Sequence, residues 1–148
     1  MNREIKFRGR RHKGDWYYGS LDLTEREPKI CFKDTITDTD SGEVRPFVRR
    51  VAVDDETIGQ YIGIKDCNGN DVYEGDIVRL VTRGAKTEVY SQVAYTEADT
   101  AFCFTSKTSG GTYMPISLLC CVEDNILFDS EVVGNIYDNS EMLNITTD

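Results

Sequence analysis

The residues that could carry chemistry are few. His12 is the one histidine of the chain, and it stands in the run Gly9-Arg10-Arg11-His12-Lys13-Gly14 with no cysteine or serine motif beside it. Nucleophilic triads need an imidazole base at the nucleophile, and many zinc sites need a second histidine, so both classes are excluded. Asp66-x-Asn68-x-Asn70 has the spacing of the first three ligands of a calcium loop. Its sixth position is Asp71 where such loops turn on glycine, and its twelfth is Ile77 where they supply a bidentate glutamate, so it reads as a solvated hairpin. Asp71, Glu74 and Asp76 are close enough in sequence to act as acid and base or to share a metal. No second ligand cluster converges on them, and a solvated acidic rim is the simpler account. Gly110-Gly111 lacks the lysine of a phosphate-binding loop. No catalytic residue, metal ligand or cofactor is expected, and the chain reads as non-enzymatic.

One constellation has the components of a binding site. Arg8, Arg10, Arg11 and Lys13 supply cations for phosphate, and Trp16, Tyr17 and Tyr18 supply rings for stacking. The competing account is an ordinary hairpin with its rings in a core and its loop in solvent. Charge weighs on the choice. The net charge is -9, with 12 Lys/Arg against 9 Asp/Glu in residues 1–50 but 5 against 17 in residues 51–148. The second part would repel nucleic acid and attract a basic partner. Protein contact, with another protein or with a second copy, is therefore the expected activity. Nucleic-acid contact through Arg8, Arg10, Arg11 and Lys13 is the alternative.

These residues must be positioned by strands. Glu4 to Arg8 alternates with Ile5 and Phe7 on one face, and Asp15 to Leu23 is aromatic and β-favouring, with Trp16, Tyr18 and Leu21 expected inward. The glycine-bounded loop between them makes a hairpin with the cations at its tip. Lys29 to Lys33 is a further strand, Thr35 to Gly42 a polar surface loop, and Phe47 to Val53 a strand again. Asp54-Asp55-Glu56-Thr57 either divides the chain into parts 1–56 and 57–148 or caps a short helical turn. The second part offers Ile58 to Ile64, a tight turn at Asn68-Gly69, Val72-Tyr73, a bend at Glu74-Gly75-Asp76, and Ile77 to Val81. Glu88 to Tyr95, Ala101 to Thr105, Tyr113 to Ile116 and Glu131 to Tyr137 follow. Short strands spaced by glycine-bearing turns predict a small closed barrel, because closure removes exposed edges. One short helix is expected near Ser140 to Leu143.

Composition agrees with a mainly β globular chain. At 148 residues with 39% hydrophobic and 29% charged residues, one core or two small ones can be buried without disulfides. The opening Met1-Asn2-Arg3-Glu4 lacks a signal-peptide stretch, and no apolar run approaches the roughly 18 residues of a membrane helix. A cytoplasmic location is expected, with Cys31, Cys67, Cys103, Cys120 and Cys121 as reduced thiols. The aromatic content and the edges of two short sheets also raise the expectation of a homo-oligomer.

The stretch Thr57-Ile58-Gly59-Gln60-Tyr61-Ile62-Gly63-Ile64-Lys65-Asp66-Cys67-Asn68-Gly69-Asn70-Asp71-Val72-Tyr73-Glu74-Gly75-Asp76-Ile77-Val78 resembles the central signature of the YopX family of phage and prophage proteins. The opening Arg3 to Arg8 with Trp16 to Gly19, and the closing Glu131 to Asn139, extend that resemblance over nearly the whole chain. The resemblance implies a mainly β fold with a Src-homology-3-like barrel in the C-terminal part, and a phage origin. It carries over no catalytic residue. The signature also has a folding account of its own: glycines for sharp turns, Tyr61, Tyr73, Ile77 and Val78 for packing, and Asp66 and Asp76 as acceptors for turn amides.

Overall fold

The computed structural model describes residues 2–82, 84, 86–106, 112–115 and 128–144. Gly110, Gly111, Cys120 and Cys121, with Arg83, Ala85, Ser109 and Ile116 of the expected turns and strands, lie outside the described residues. The strands are β1 (Phe7–Gly9), β2 (Tyr17–Asp22), β3 (Lys29–Thr37), β4 (Val44–Ala52), β5 (Gly59–Lys65), β6 (Asp71–Tyr73) and β7 (Asp76–Thr82). They continue with β8 (Glu88–Thr96), β9 (Ala101–Ser106), β10 (Thr112–Pro115) and β11 (Phe128–Asn135). The chain divides into two compact units, Met1–Tyr61 and Ile62–Asp148. The acidic run Asp54-Asp55-Glu56-Thr57 lies inside the first unit, where Asp55–Thr57 is a single 3₁₀ turn.

In the first unit the strand order is β4-β3-β2-β1 with the start of β5 beside β1, every pair antiparallel. Ile30, Val53 and Tyr61 are buried there. The alternation expected for β2 is only half right. Arg8 pairs with Tyr18, and it is Arg8 that is buried while Tyr18 stays exposed. The polar run also begins later than its composition suggests: β3 continues through Thr37 and β4 starts at Val44, so the loop is confined to residues 38–43. Thr35 and Thr37 are β-branched and suit a strand that has a partner to pair with.

In the second unit β7, β8, β9, β10 and β11 form an antiparallel sheet in the order β10-β9-β8-β7-β11. Its core is Val72, Val78, Leu80, Val93 and Phe104, with Ile62, Ile64, Phe102 and Val132 packed against it. The expected closed barrel is not formed by the described strands. β10 and β11 are the two edges of an open order, and the edge problem that suggested closure is left in place. The C-terminal helix is the 3₁₀ stretch Ser140–Asn144, with Leu143 buried. The turn at Asn68-Gly69 also differs from the expected form. Only Gly69 has positive φ, at +82°, and its N–H donates to the Asp66 carbonyl at 3.0 Å. Asp66 Oδ1 accepts the Asn68 N–H at 2.9 Å, and that bond favours a four-residue turn starting at Asp66 over a two-residue one centred on Asn68. No helix among the described residues is long and apolar enough to cross a membrane.

Candidate functional site

Two places correspond to chemistry suggested by the sequence, and a third does not. The first is the N-terminal hairpin. Arg8 and Arg10 are two residues apart in extended chain, so their side chains share one face. Trp16 lies between them, with the Arg8 guanidinium carbon 4.6 Å and the Arg10 guanidinium carbon 4.7 Å from its ring centroid. Each arginine is only 6% exposed. The backbone of Arg10 is tied down as well: its N–H donates to Thr57 Oγ1 at 3.0 Å, and its carbonyl accepts the Asp54 N–H at 2.9 Å. Lys6 repeats the pattern over the Tyr61 ring at 4.7 Å. These are cation–π contacts within a packed layer.

The four cations singled out in the sequence are therefore not brought together as one surface. Arg8 and Arg10 belong to the interior of the first unit, whereas Arg11 and Lys13 remain at the exposed tip. Arg11 already has Glu27 at 3.9 Å, and the His12 N–H donates to Asp54 Oδ2 at 2.6 Å. Strand alternation places Arg8 and Arg10 on one face, but it cannot say which face is covered.

The second place is the acidic signature. Asp66 is buried, and both its oxygens are committed. Oδ1 accepts the N–H of Asn68 and of Asn70 at 2.9 and 2.8 Å. Oδ2 accepts Asn70 Nδ2 at 3.2 Å and the Val132 N–H of β11 at 3.0 Å. Burial alone would raise the Asp66 pKa, but the bonds from Val132, Asn70 and Asn68 outweigh it and hold the carboxyl below its ordinary 3.8. Asp76, also buried, accepts the Tyr73 N–H at 2.8 Å, and Asp71 pairs with Lys65 at 2.6 Å. Asp66 and Asp76 therefore close turns, their oxygens accepting backbone N–H groups, whereas Asp71 is held by the Lys65 ammonium.

The third place has no chemical motif in the sequence. β3 and β4 pair over nine residues each, from Lys29↔Ala52 to Thr37↔Val44, and β4 is an edge of its sheet. Every residue from Val44 to Arg50 is exposed. The register puts Val44, Pro46, Val48 and Arg50 on one face with Lys33 and Cys31, and Ile36 and Phe47 on the other. Val44 is 59% exposed, Val48 61% and Ile36 60%. The arginines of the ribbon are held by neighbours: Arg45 by Glu43 at 2.9 Å, Arg49 by Asp34 at 2.6 Å, and Arg50 by Asp22 at 2.8 Å. Pro46 and these arginines guard the free backbone edge, because proline lacks an N–H and charge opposes strand addition. The apolar face beside that edge is left open. The signal in the sequence was symmetry, with strand-forming runs on both sides of the Thr/Asp loop, and Pro46 hid the start of the second, which begins at Val44 and not at Phe47.

The family model described as YopX protein matches residues 6–144. The chain belongs to the YopX family. Among solved structures, the crystal structure of protein EF1440 from Enterococcus faecalis is similar, with a TM-score of 0.51 and 20% sequence identity. That match covers 96% of this chain and 99% of the other. At that identity the likeness concerns the fold alone. No curated protein matches the chain. Within the matched residues, Asp66 and Asp76 hold turns.

Proposed function

We propose that this member of the YopX family is a non-enzymatic accessory protein of a phage or prophage. It works in the cytoplasm of the bacterial host by binding protein, either a partner or a second copy, through the open face of the β3–β4 ribbon. The observation that carries the reading is the exposure of Val44 and Val48 side by side with Pro46 on one face. Apolar side chains in such a row are the kind of patch that marks contact surfaces. The acidic second unit supports the same reading by attracting basic protein surfaces. Nucleic-acid binding through the N-terminal hairpin loses support, since two of its four cations are buried against Trp16.

Quantitative affinity capture tests it, with wild type compared against the Val44→Asp, Val48→Asp double variant in prophage-bearing cells. The expected outcome is a protein recovered with wild type and depleted about tenfold or more with the variant. Equal recovery with both baits, or recovery of nucleic acid in place of protein, would overturn the proposal.

A further inference from the structure

We infer that the turn between β5 and β6 is a plug for the outer edge of β11, with the Asp66 carboxylate standing in for the carbonyl of a neighbouring strand. The open order leaves β11 as the last strand of its sheet, and every second residue of such a strand directs its N–H and C=O away from its one partner. The Ser130 carbonyl and the Val132 N–H are two of these outward groups, and the turn takes both. The Cys67 N–H donates to the Ser130 carbonyl at 2.8 Å, and the Val132 N–H donates to Asp66 Oδ2 at 3.0 Å. A third bond joins side chains, from Asn68 Nδ2 to Glu131 Oε1 at 3.3 Å.

In a parallel ladder a residue gives its N–H to the carbonyl before its opposite number and accepts, on its own carbonyl, the N–H after it. Set beside Glu131, Cys67 makes the first of these bonds with its own N–H, and the Asp66 carboxylate makes the second. The turn thus reproduces one rung of strand pairing without a strand, and the chain then reverses at Gly69, with φ +82°. Asp66 is only 7% exposed, so its carboxylate lies against the edge, and its other oxygen is fixed by the Asn68 and Asn70 N–H groups. A free edge is a template for pairing with another chain. A carboxylate is suited to covering it, because it accepts from an edge N–H and offers a further strand no donor. The inference goes beyond the ribbon contact and concerns the other unit: it assigns Asp66 the task of closing this edge to strand addition.

Amide hydrogen exchange and sedimentation velocity on the full chain test this, under reducing conditions because Cys67 is exposed. In wild type the Val132 amide should be protected to within about tenfold of the Asp129 and Glu131 amides, whose residues pair with Val81 and Arg79 of β7. In Asp66→Ala the Val132 amide should exchange at least about tenfold faster relative to those two, and the protein should associate beyond the wild-type species through the uncovered edge. Adding Ser130→Pro to Asp66→Ala puts a residue without an N–H on that outer edge. The double variant should return to the wild-type mass while regaining none of the stability lost with Asp66. Association that persists in the double variant comes from instability and would overturn the inference, as would an Asp66→Ala protein that keeps the wild-type mass. A Val132 amide that exchanges freely in wild type would overturn it even if Asp66→Ala fails to fold.

Discussion

Asp66 is where sequence chemistry and structural role part most clearly. Its spacing with Asn68 and Asn70 suggested ligands, yet its two oxygens accept four hydrogen bonds from within its own unit. Replacing it by asparagine leaves one acceptor oxygen and sets an amide N–H₂ against the Val132 and Asn70 donors. The expected loss is about 2 kcal/mol in urea denaturation, the usual cost of leaving a buried donor unpaired. The pH dependence follows from the same bonds. The folded carboxyl ionises below its ordinary 3.8, so its contribution is present above the unfolded pKa and is lost as pH falls through the folded one. The stability gap between wild type and Asp66→Asn should therefore narrow as pH drops from about 5 to about 3. A gap that stays constant over that range would assign Asp66 a role other than carboxylate acceptor.

Among the elements, the hairpins were legible and their outward faces were not. Alternation and turn residues located β1, β2, β5, β6, β7, β8 and β9 to within a few residues, because each combines β-favouring side chains with a glycine-bearing or polar turn. The ribbon was half read, since Thr35 to Thr37 look like loop and Pro46 looks like a strand break until each has a partner strand. Gly19 shows how tightly these elements are set. It pairs with Phe7 on β1, while a Cβ at Gly19 would collide with the Cys31 carbonyl of β3. Gly19→Ala should cost about 3 kcal/mol, as overpacking against backbone does. Trp16 is the one tryptophan of the chain and lies in the first unit, so its fluorescence reports that unit's unfolding midpoint directly. An unchanged midpoint would mean that β2 and β3 can separate at no cost.

At the scale of the whole molecule, charge is divided between the units. Residues 1–61 hold 12 Lys/Arg and 12 Asp/Glu, and residues 62–148 hold 5 against 14, so the second unit carries the entire net charge of -9. An acidic excess towards the C-terminus is legible in the sequence alone, and it disfavours nucleic acid as a partner. The candidate surface was not readable, for a physical reason. Val44 and Val48 alternate with Arg45 and Arg49 as in any half-buried strand, and one chain's sequence does not distinguish a face covered by its own core from a face covered by another molecule. A photoreactive residue placed singly at Val44, Val48, Lys13 and Asp99, and irradiated in prophage-bearing cells, makes that distinction most directly. The account predicts protein adducts at Val44 and Val48 and only background at Lys13 and Asp99. Adducts spread evenly over the four positions, or nucleic acid attached at Lys13, would contradict it.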